Sequence, residues 1–486
     1  MGVISKEQFV KGSFWKLLER FTGRGISLVV SVVLARILSA DDYGLIALTT
    51  VFTNLSEILI DAGFSTALIR KQDVDDEDYA CVFTISSFIS VILYILLFFT
   101  APLISNYYVK PELKNVLRVM GVILFIQAFA STRNAFVNRN MQFKLLMKCN
   151  TIAAIISGIV GITLAYCGLE VWVLVIQRLL QQAIITFLLF MKIRWKPKFK
   201  FNKQKFKDLF GFSAGVIGAS IVNYVENCVN SLVVGKHYSI SDLGYMDKAN
   251  LLPEQISLNS FGAMTNVLLP TVSSYQNDIE RLKEVVRKVV RYTAFLLFPI
   301  MLGILSIAKE AVIVLFTEKW LPSVPLMQFI CIYYIATPLM LIDVQVFFGL
   351  GKSNIRLKTE LFRMVFIVLG VIICCFAFNL NIIYLAMSNA IAVSLGTFVT
   401  HLEVQKLIDY TLFERLKDSF KSIMTSIIMC IILYFTSLLM AKLNLPIFVF
   451  MLIKILIGII TYIFFSYILK NQVFFELINM FKERKK

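Results

Sequence analysis

About fourteen apolar stretches occupy nearly the whole of this 486-residue chain, each near the ~20 residues that a helix needs to cross a ~30 Å hydrocarbon core. With 58% hydrophobic residues and a mean hydropathy of +0.77, little is left over for a soluble domain. Backbone groups in lipid must find partners within their own helix or within a closed barrel. The stretches are too long and continuous for barrel strands, so the expected fold class is an all-α polytopic membrane protein.

The spans are expected near residues 13–38, 43–64, 80–104, 113–132, 147–167 and 170–191, then 209–234, 244–272, 291–316, 323–348, 357–379, 382–402, 420–441 and 446–469. The formal charge of +17 would point to nucleic acid in a soluble protein, but here its distribution follows the loops. Alternate loops carry Arg70, Lys71, Arg133, Arg139, the lysine-rich run from Lys192 to Lys207, and Arg281 to Arg291, while the opposite set holds little beyond Lys110, Lys114, Lys236, Lys309, Lys319 and Lys442. The positive-inside rule therefore predicts a multi-pass membrane protein with both termini and the basic loops in the cytoplasm. The basic loops are accounted for by topology and by anionic lipid headgroups, and a nucleic-acid partner is not expected.

The first residues lack the short apolar core and small-residue site of a cleavable leader, so the first span is expected to act as a retained anchor. The eight cysteines lie in or beside apolar spans without a C-x-x-C pair, and the two histidines, His237 and His401, are far apart. Buried small hydrophobes are expected, with no metal site and no cofactor.

The polar interruption from Met191 to Asp208 divides six spans from the next eight. An internal echo suggests related halves. Leu38-Ser-Ala-Asp-Asp-Tyr-Gly44 follows the first span, and Tyr238-Ser-Ile-Ser-Asp-Leu-Gly244 follows the seventh. In both, Ser and Asp can cap a new helix and Gly permits a tight reversal. The expected organisation is a six-helix lobe over 1–195, a basic linker over 196–208, a second six-helix lobe over 209–405, and two added helices over 419–470. Because both echoing turns fall on the outer side, the lobes would be parallel repeats about an axis along the membrane normal.

Polar groups inside the spans carry whatever chemistry is legible. Lys16, Arg20 and Arg24 recur every four residues along one face of the first span. Arg24 lies about 18 Å along that helix from Gly12, near mid-membrane, where a cation facing lipid costs about 2.5–3.5 kcal/mol. This face is therefore expected to line a water-filled cavity. Arg118 and Arg178 are expected to extend it, and Gln177, Gln181, Asn223, Asn227 and Asn230 to supply polar walls. Cations in such a cavity favour an anionic cargo, since phosphate matches Arg in charge and geometry. Asp61, Glu226 and Asp343 are candidates to bind a coupling H⁺ or Na⁺, and the sequence does not choose among them. The bland reading of each group is structural. Arg363 with Glu360 makes an i,i+3 ion pair, Lys454 a helix contact, and the asparagines interhelical glue.

Two features are decoys. Gly349-Leu-Gly-Lys-Ser353 has the tail of a phosphate-binding loop, but Val346 stands where the first glycine should be and no strand precedes it. Asp41-Asp42 could pass for glycosyltransferase carboxylates, yet such enzymes generally carry a large outer domain, and the outer loops here are about ten residues or fewer.

Several pieces together resemble the bacterial polysaccharide-unit flippases, the Wzx-like branch of the MOP exporter superfamily. They are the run Ala35 to Leu45, Ile60 to Arg70, Arg133 to Phe143, and Tyr238 to Ala249. The resemblance covers nearly the whole chain. It implies a MATE-like fold of two six-helix lobes around a central cavity with two C-terminal helices. It also implies a polyprenyl-pyrophosphate-linked oligosaccharide as cargo, with membrane lipids and other polysaccharide-assembly proteins as partners. An ion-coupled multidrug exporter of the same fold is the alternative; it would want acidic cavity walls. The cationic positions do not match a family motif residue by residue, and their roles rest on the physical argument above.

Overall fold

The computed structural model describes residues 23, 25–61, 64–71, 74–140, 142–193, 199–440 and 445–483; within them the side chains at 66, 69–70, 208–209, 211–216, 219, 222–223, 226–227, 258–267, 270, 353 and 480–483 are left aside. Among the described residues every regular element is helical. The first half runs α1 (Gly25–Ile37), α2 (Ala40–Asp61), α3 (Phe64–Arg70), α4 (Asp76–Tyr108), α5 (Pro111–Met120), α6 (Ile123–Arg139), α7 (Phe143–Tyr166), α8 (Val171–Lys192) and α9 (Lys203–His237). The second runs α10 (Ile240–Ser274), α11 (Ile279–Ser306), α12 (Ala308–Phe316), α13 (Ser323–Gly349), α14 (Ser353–Val371), α15 (Ile382–Ile408), α16 (Leu412–Met440), α17 (Ile447–Ile468) and α18 (Gln472–Glu483).

Eleven helices among the described residues are long and apolar enough to cross a membrane. The fourteen expected spans differ from this number at three places. The described part of the first is the short helix α1. The seventh and eighth correspond to α9 and α10, each 35 residues long, many of whose side chains are among those left aside. Two other expected spans are broken. Pro111–Arg139 crosses as α5 and α6 with a joint at Gly121–Val122, and the stretch near 291–316 divides at Ile307 into α11 and α12. Prolines inside α4, α11 and α13 (Pro102, Pro299, Pro338) are accommodated within continuous helices, as membrane helices allow.

By internal contacts the chain forms two compact units, with the boundary between Asp247 and Lys248. In the first, α2 packs on α4, α5, α6, α8 and α9, and α9 also packs on α3 and α4. An apolar cluster of Phe64, Leu68, Tyr79, Val82 and Ala135 fixes α3, α4 and α6 together, with Phe206 and Ile217 of α9 against it. The segment leading into α9 is docked rather than loose. Lys200 N donates to Thr84 Oγ1 (3.0 Å) and Cys81 Sγ donates to Asn202 O. Lys200 and Lys205 pair with Glu77 and Asp75 at the start of α4. Asp75 itself caps α4, accepting from Asp78 N at 2.8 Å while Asp78 accepts from Asp75 N. That reciprocal cap leaves the fully buried Asp78 able to take Lys71 Nζ at 2.7 Å.

The echoing turns come together within this unit. Ser39 Oγ and Ser239 Oγ each donate to the aspartate three residues on, Asp42 (2.6 Å) and Asp242 (2.7 Å), and each accepts from that residue's backbone N–H. Gly44 sits against the carbonyl of Ile240, and Gly244 against the carbonyl of Ala40. A Cβ at either glycine would overlap the opposing carbonyl oxygen, so only glycine lets the two turns approach this closely. Ser241 Oγ donates to Asp41 Oδ1 at 2.7 Å, and Lys110 pairs with the same carboxylate.

In the second unit α13 packs on α11 and α15, α14 on α15, and α16 on α11 and α17. Leu268, Val286, Ile342, Phe347 and Val404 form its core. The Gly349–Ser353 segment is a reversal between α13 and α14, with Gly351 at φ +68°. α14 ends in a π-helical turn, Ile372–Ala377. An apolar cavity of about 530 Å³ lies among α11, α16, α17 and α18.

Candidate functional site

The first unit holds a cavity of about 550 Å³ lined mostly by residues with polar side chains. Helix α2 contributes Asn54, Glu57 and Asp61, which at i, i+3 and i+7 share one face. Helix α6 contributes Gln127, Ser131 and Asn134 at i, i+4 and i+7, and α9 contributes Ile217, Ser220 and Tyr224 at i, i+3 and i+7. Three helices that must each bury apolar surface thus turn one polar stripe toward a common space. A polar group in such a helix is far better placed against water or another polar group than against lipid.

Hydrogen bonds hold the stripe in register. Gln182 Nε2 on α8 donates to Gln127 Oε1 at 2.6 Å, and Gln127 Nε2 donates to Glu57 Oε2 at 3.3 Å. Arg178, one turn before Gln182, donates from Nη2 to Asn54 Oδ1 at 2.8 Å and lies within electrostatic reach of Glu57. Ser65 Oγ donates to Asp61 Oδ1. Tyr224 Oη donates to the carbonyls of Val51 (2.8 Å) and Thr50 (3.2 Å), pinning α9 across α2. The result is an amide- and hydroxyl-rich pocket with two carboxylates and one guanidinium. Each of these charges already has a partner within the pocket.

The expected site residues are distributed unevenly over this arrangement. Asp61 lines the cavity, and Arg178 is bonded to its wall. Gln177 turns elsewhere, its side chain packed against Gly161 of α7; Gln181 is half-buried. Arg118 is not with Arg178. Its guanidinium stacks over the Phe98 ring at 3.9 Å and Nε donates to Phe98 O at 3.3 Å, against α4. Asn230 is half-buried. Lys16, Arg20 and Arg24 lie outside the described residues, as do the side chains of Asn223, Glu226 and Asn227.

In the second unit Asp343 is fully buried and bonded to Arg415 (Nη1 to Oδ2, 2.6 Å), with His401 beside both. Lys454 reaches Glu310 and the Ser306 carbonyl, a structural contact of the added helices. Arg363 pairs with Glu360 at i,i+3. No group of three or more metal-ligating side chains occurs among the described residues.

Asn54, Glu57, Gln127, Asn134, Gln182, Ser220 and Tyr224 were not singled out from the sequence. The signal was present, since polar residues recur at helical spacing in otherwise apolar stretches. Gln177 and Gln181 were preferred because they sit beside Arg178 in the chain. One residue along a helix is about 100° around it, so Gln177 faces away from Arg178, and Gln182, four residues on, lies closer to the arginine's line than Gln181, three residues on and round the other side.

Comparison with known proteins bears on what this scaffold is. Residues 33–325 match the family described as polysaccharide biosynthesis protein. The succinoglycan biosynthesis transport protein ExoT of Rhizobium meliloti (strain 1021) is 26% identical over 64% of this chain and 63% of the relative, so the match spans less than two thirds of that protein's length. The teichuronic acid biosynthesis protein TuaB of Bacillus subtilis (strain 168) is 22% identical over 72% of this chain and 73% of its own. Among solved structures, the lipid II flippase MurJ in an inward closed conformation superposes with a TM-score of 0.79 at 18% identity, covering 96% of this chain and 99% of that one. An inward-facing multidrug-resistance MATE transporter of the MOP superfamily gives 0.63 at 14% identity, covering 80% and 95%. These likenesses establish the MATE-like helical fold of a multi-pass membrane protein, and with a family match over more than half its length the chain belongs to the polysaccharide biosynthesis protein family.

Proposed function

We propose that the chain moves a polyprenyl-pyrophosphate-linked oligosaccharide from the cytoplasmic to the outer leaflet of a bacterial inner membrane by alternating access, for assembly of a surface polysaccharide. The observation that carries this reading is the pocket among α2, α6 and α9, within a chain of the polysaccharide biosynthesis family. Sugar hydroxyls both donate and accept, and Gln, Asn, Ser and Tyr side chains answer both roles. The relatives' names, succinoglycan transport and teichuronic acid biosynthesis, support a saccharide cargo.

A pocket for organic cations would leave its carboxylates open. Here Glu57 is met by Gln127 and Arg178, and Asp61 by Ser65, which favours the saccharide reading over a multidrug exporter. In this reading Lys16, Arg20 and Arg24 attract the pyrophosphate, with Arg118 and Arg178 further along, while the sugars occupy the polar pocket. Gln177, Gln181, Asn223, Asn227 and Asn230 add polar surface, and a coupling H⁺ or Na⁺ acts at Asp61, Glu226 or Asp343. Both termini lie in the cytoplasm, and membrane lipids and other assembly proteins are the partners.

The test is the fate of the lipid-linked oligosaccharide in a strain lacking this protein, with sidedness assayed by outer-face labelling. The expected result is build-up on the cytoplasmic leaflet, reversed by wild type and not by a well-expressed Arg24→Ala variant. Normal outer-leaflet delivery in a strain with no redundant transporter would overturn the function. Full activity of Arg24→Ala would overturn the role of the cationic face alone.

A further inference from the structure

We infer that His401, Asp343 and Arg415 form a proton-binding switch in the second unit, with His401 the group that takes up and releases the proton. The inference deepens the reading of the chain as a transporter that needs a driving ion. The three side chains come from α15, α13 and the first turn of α16 and are 1%, 0% and 6% exposed.

Arg415 organises the site. Its Nη1 donates to Asp343 Oδ2 at 2.6 Å and meets His401 Nδ1, and its Nη2 donates to Leu339 O at 2.9 Å. A guanidinium has donors and no acceptor. Nδ1 therefore accepts, and the neutral ring carries its single proton on Nε2. That Nε2 has no hydrogen-bond partner among the described residues, and neither does Asp343 Oδ1. Yet Oδ1 lies only 3.6 Å from His401 Nδ1. An unsatisfied buried donor or acceptor is costly, so the arrangement holds an acceptor and an imidazole that are close but not bonded.

A proton from solvent added to the Nδ1 lone pair changes which bonds can form. The new N–H is directed at Asp343 Oδ1 and satisfies it, while Nη1 of Arg415, now facing another donor, must leave the ring. Arg415 belongs to α16, and its partners belong to α13 and α15. The protonation state of His401 is thereby linked to where the start of α16 sits against those two helices. Release of the proton restores the first arrangement, and no other bond is made or broken.

The neighbouring charges leave this role to His401. Arg287 and Arg291 of α11 are taken by Asp418, and Lys283 by Glu414, both acids on α16. The Tyr410 ring edge lies on His401 with centroids 5.2 Å apart, and its hydroxyl donates to Asp418. From α14, Arg363 packs on Gly396 and pairs with Glu360; on α15 itself Glu403 pairs with Lys406. Histidine is also the side chain whose ordinary titration falls between about pH 5 and 8.

Only two histidines occur in the chain, His237 and His401, which makes a direct test practical. The full chain, labelled with nitrogen-15 histidine and held in lipid nanodiscs, is titrated by NMR from about pH 8 to about pH 5, with His237→Gln used for assignment. The expected result is an Nε2-protonated ring for His401 at high pH that becomes imidazolium on acidification. Asp343→Asn, which removes the acceptor for the new N–H, should move that midpoint to lower pH. Alkylation of an introduced Thr411→Cys thiol should change rate at the same midpoint, and His401→Gln should abolish the change. A His401 that stays neutral throughout, or that protonates with no change in alkylation, overturns the switch. His401→Gln with normal stability and normal lipid-linked oligosaccharide delivery overturns the coupling and leaves the flippase reading intact. Normal delivery in a strain lacking the protein overturns the flippase reading without touching the titration.

Discussion

Lys454 of α17 meets Glu310 of α12 at 2.9 Å, with side chains only 3% and 9% exposed. Its ammonium also donates to the Ser306 carbonyl at 2.7 Å, at the break between α11 and α12. Lys454 borders the apolar cavity of the second unit, where an unpartnered charge has nothing to solvate it.

Removing one member should therefore be worse than removing both. Lys454→Met alone is expected to destabilise the protein by about 3–5 kcal/mol, and Glu310→Leu with Lys454→Met together by much less. Thermal unfolding of the three variants in detergent checks this. A double variant as unstable as the single one would mean that the pair contributes more than the penalty of leaving a charge alone.

The docked segment before α9 should loosen in acid. The hydrogen bond from Lys205 holds the Asp75 carboxyl down from its usual 3.8 to about 2. A lowered folded-state value means that the contribution is fully present above about pH 4 and is lost as pH falls through about 2. Asp75 is exposed, so the effect is screened and stays below about 1 kcal/mol. Hydrogen exchange at residues 199–205 is expected to accelerate over that interval, and Asp75→Asn should show the acid-state rate at neutral pH.

Gln127 is the middle of the relay from Gln182 to Glu57. Gln127→Leu leaves the Glu57 carboxylate short of a donor and is expected to cost about 1–3 kcal/mol and to reduce surface polysaccharide. Tyr224→Phe, which deletes only the hydroxyl bonded to the Val51 and Thr50 carbonyls, should cost about 1 kcal/mol. Melting temperatures, read beside polysaccharide output, separate a folding defect from a transport defect. A Gln127→Leu protein with wild-type output would remove the relay from the transport path.

Gly244→Ala should be poorly tolerated although the residue lies within helix α10, where alanine is ordinarily favoured over glycine. The added methyl would overlap the Ala40 carbonyl and come 3.1 Å from Gly44 N, and overpacking of that kind costs about 1–3 kcal/mol. Gly218→Ala, on α9 with open space around its Cα, is the control and should melt as wild type does.

The spans were readable from the sequence because lipid imposes one rule on every helix, and length with hydropathy expresses it directly. The halves of a broken span were less so. Gly121 and Ile307 interrupt helices without interrupting apolarity. In α9 and α10 the opposite holds, for the helices continue beyond their apolar windows. Lys454 was recognised as an anomaly, but its partner lies 144 residues away. Likewise Asp343 stands out in the sequence, but Arg415 lies 72 residues from it along the chain, and only folding brings it and His401 alongside. Periodicity shows which residues share a face; it cannot say which neighbouring helix that face will meet.

The two glycine turns deserve a last consequence. Each presents the same capped Ser-Asp corner and the same bare glycine to the other, Gly44 toward Ile240 and Gly244 toward Ala40. That is the form of an isologous contact, in which one patch serves both sides. A chain half as long, paired with a copy of itself, would already own both faces of this joint. Joining two such halves end to end would demand no new surface there.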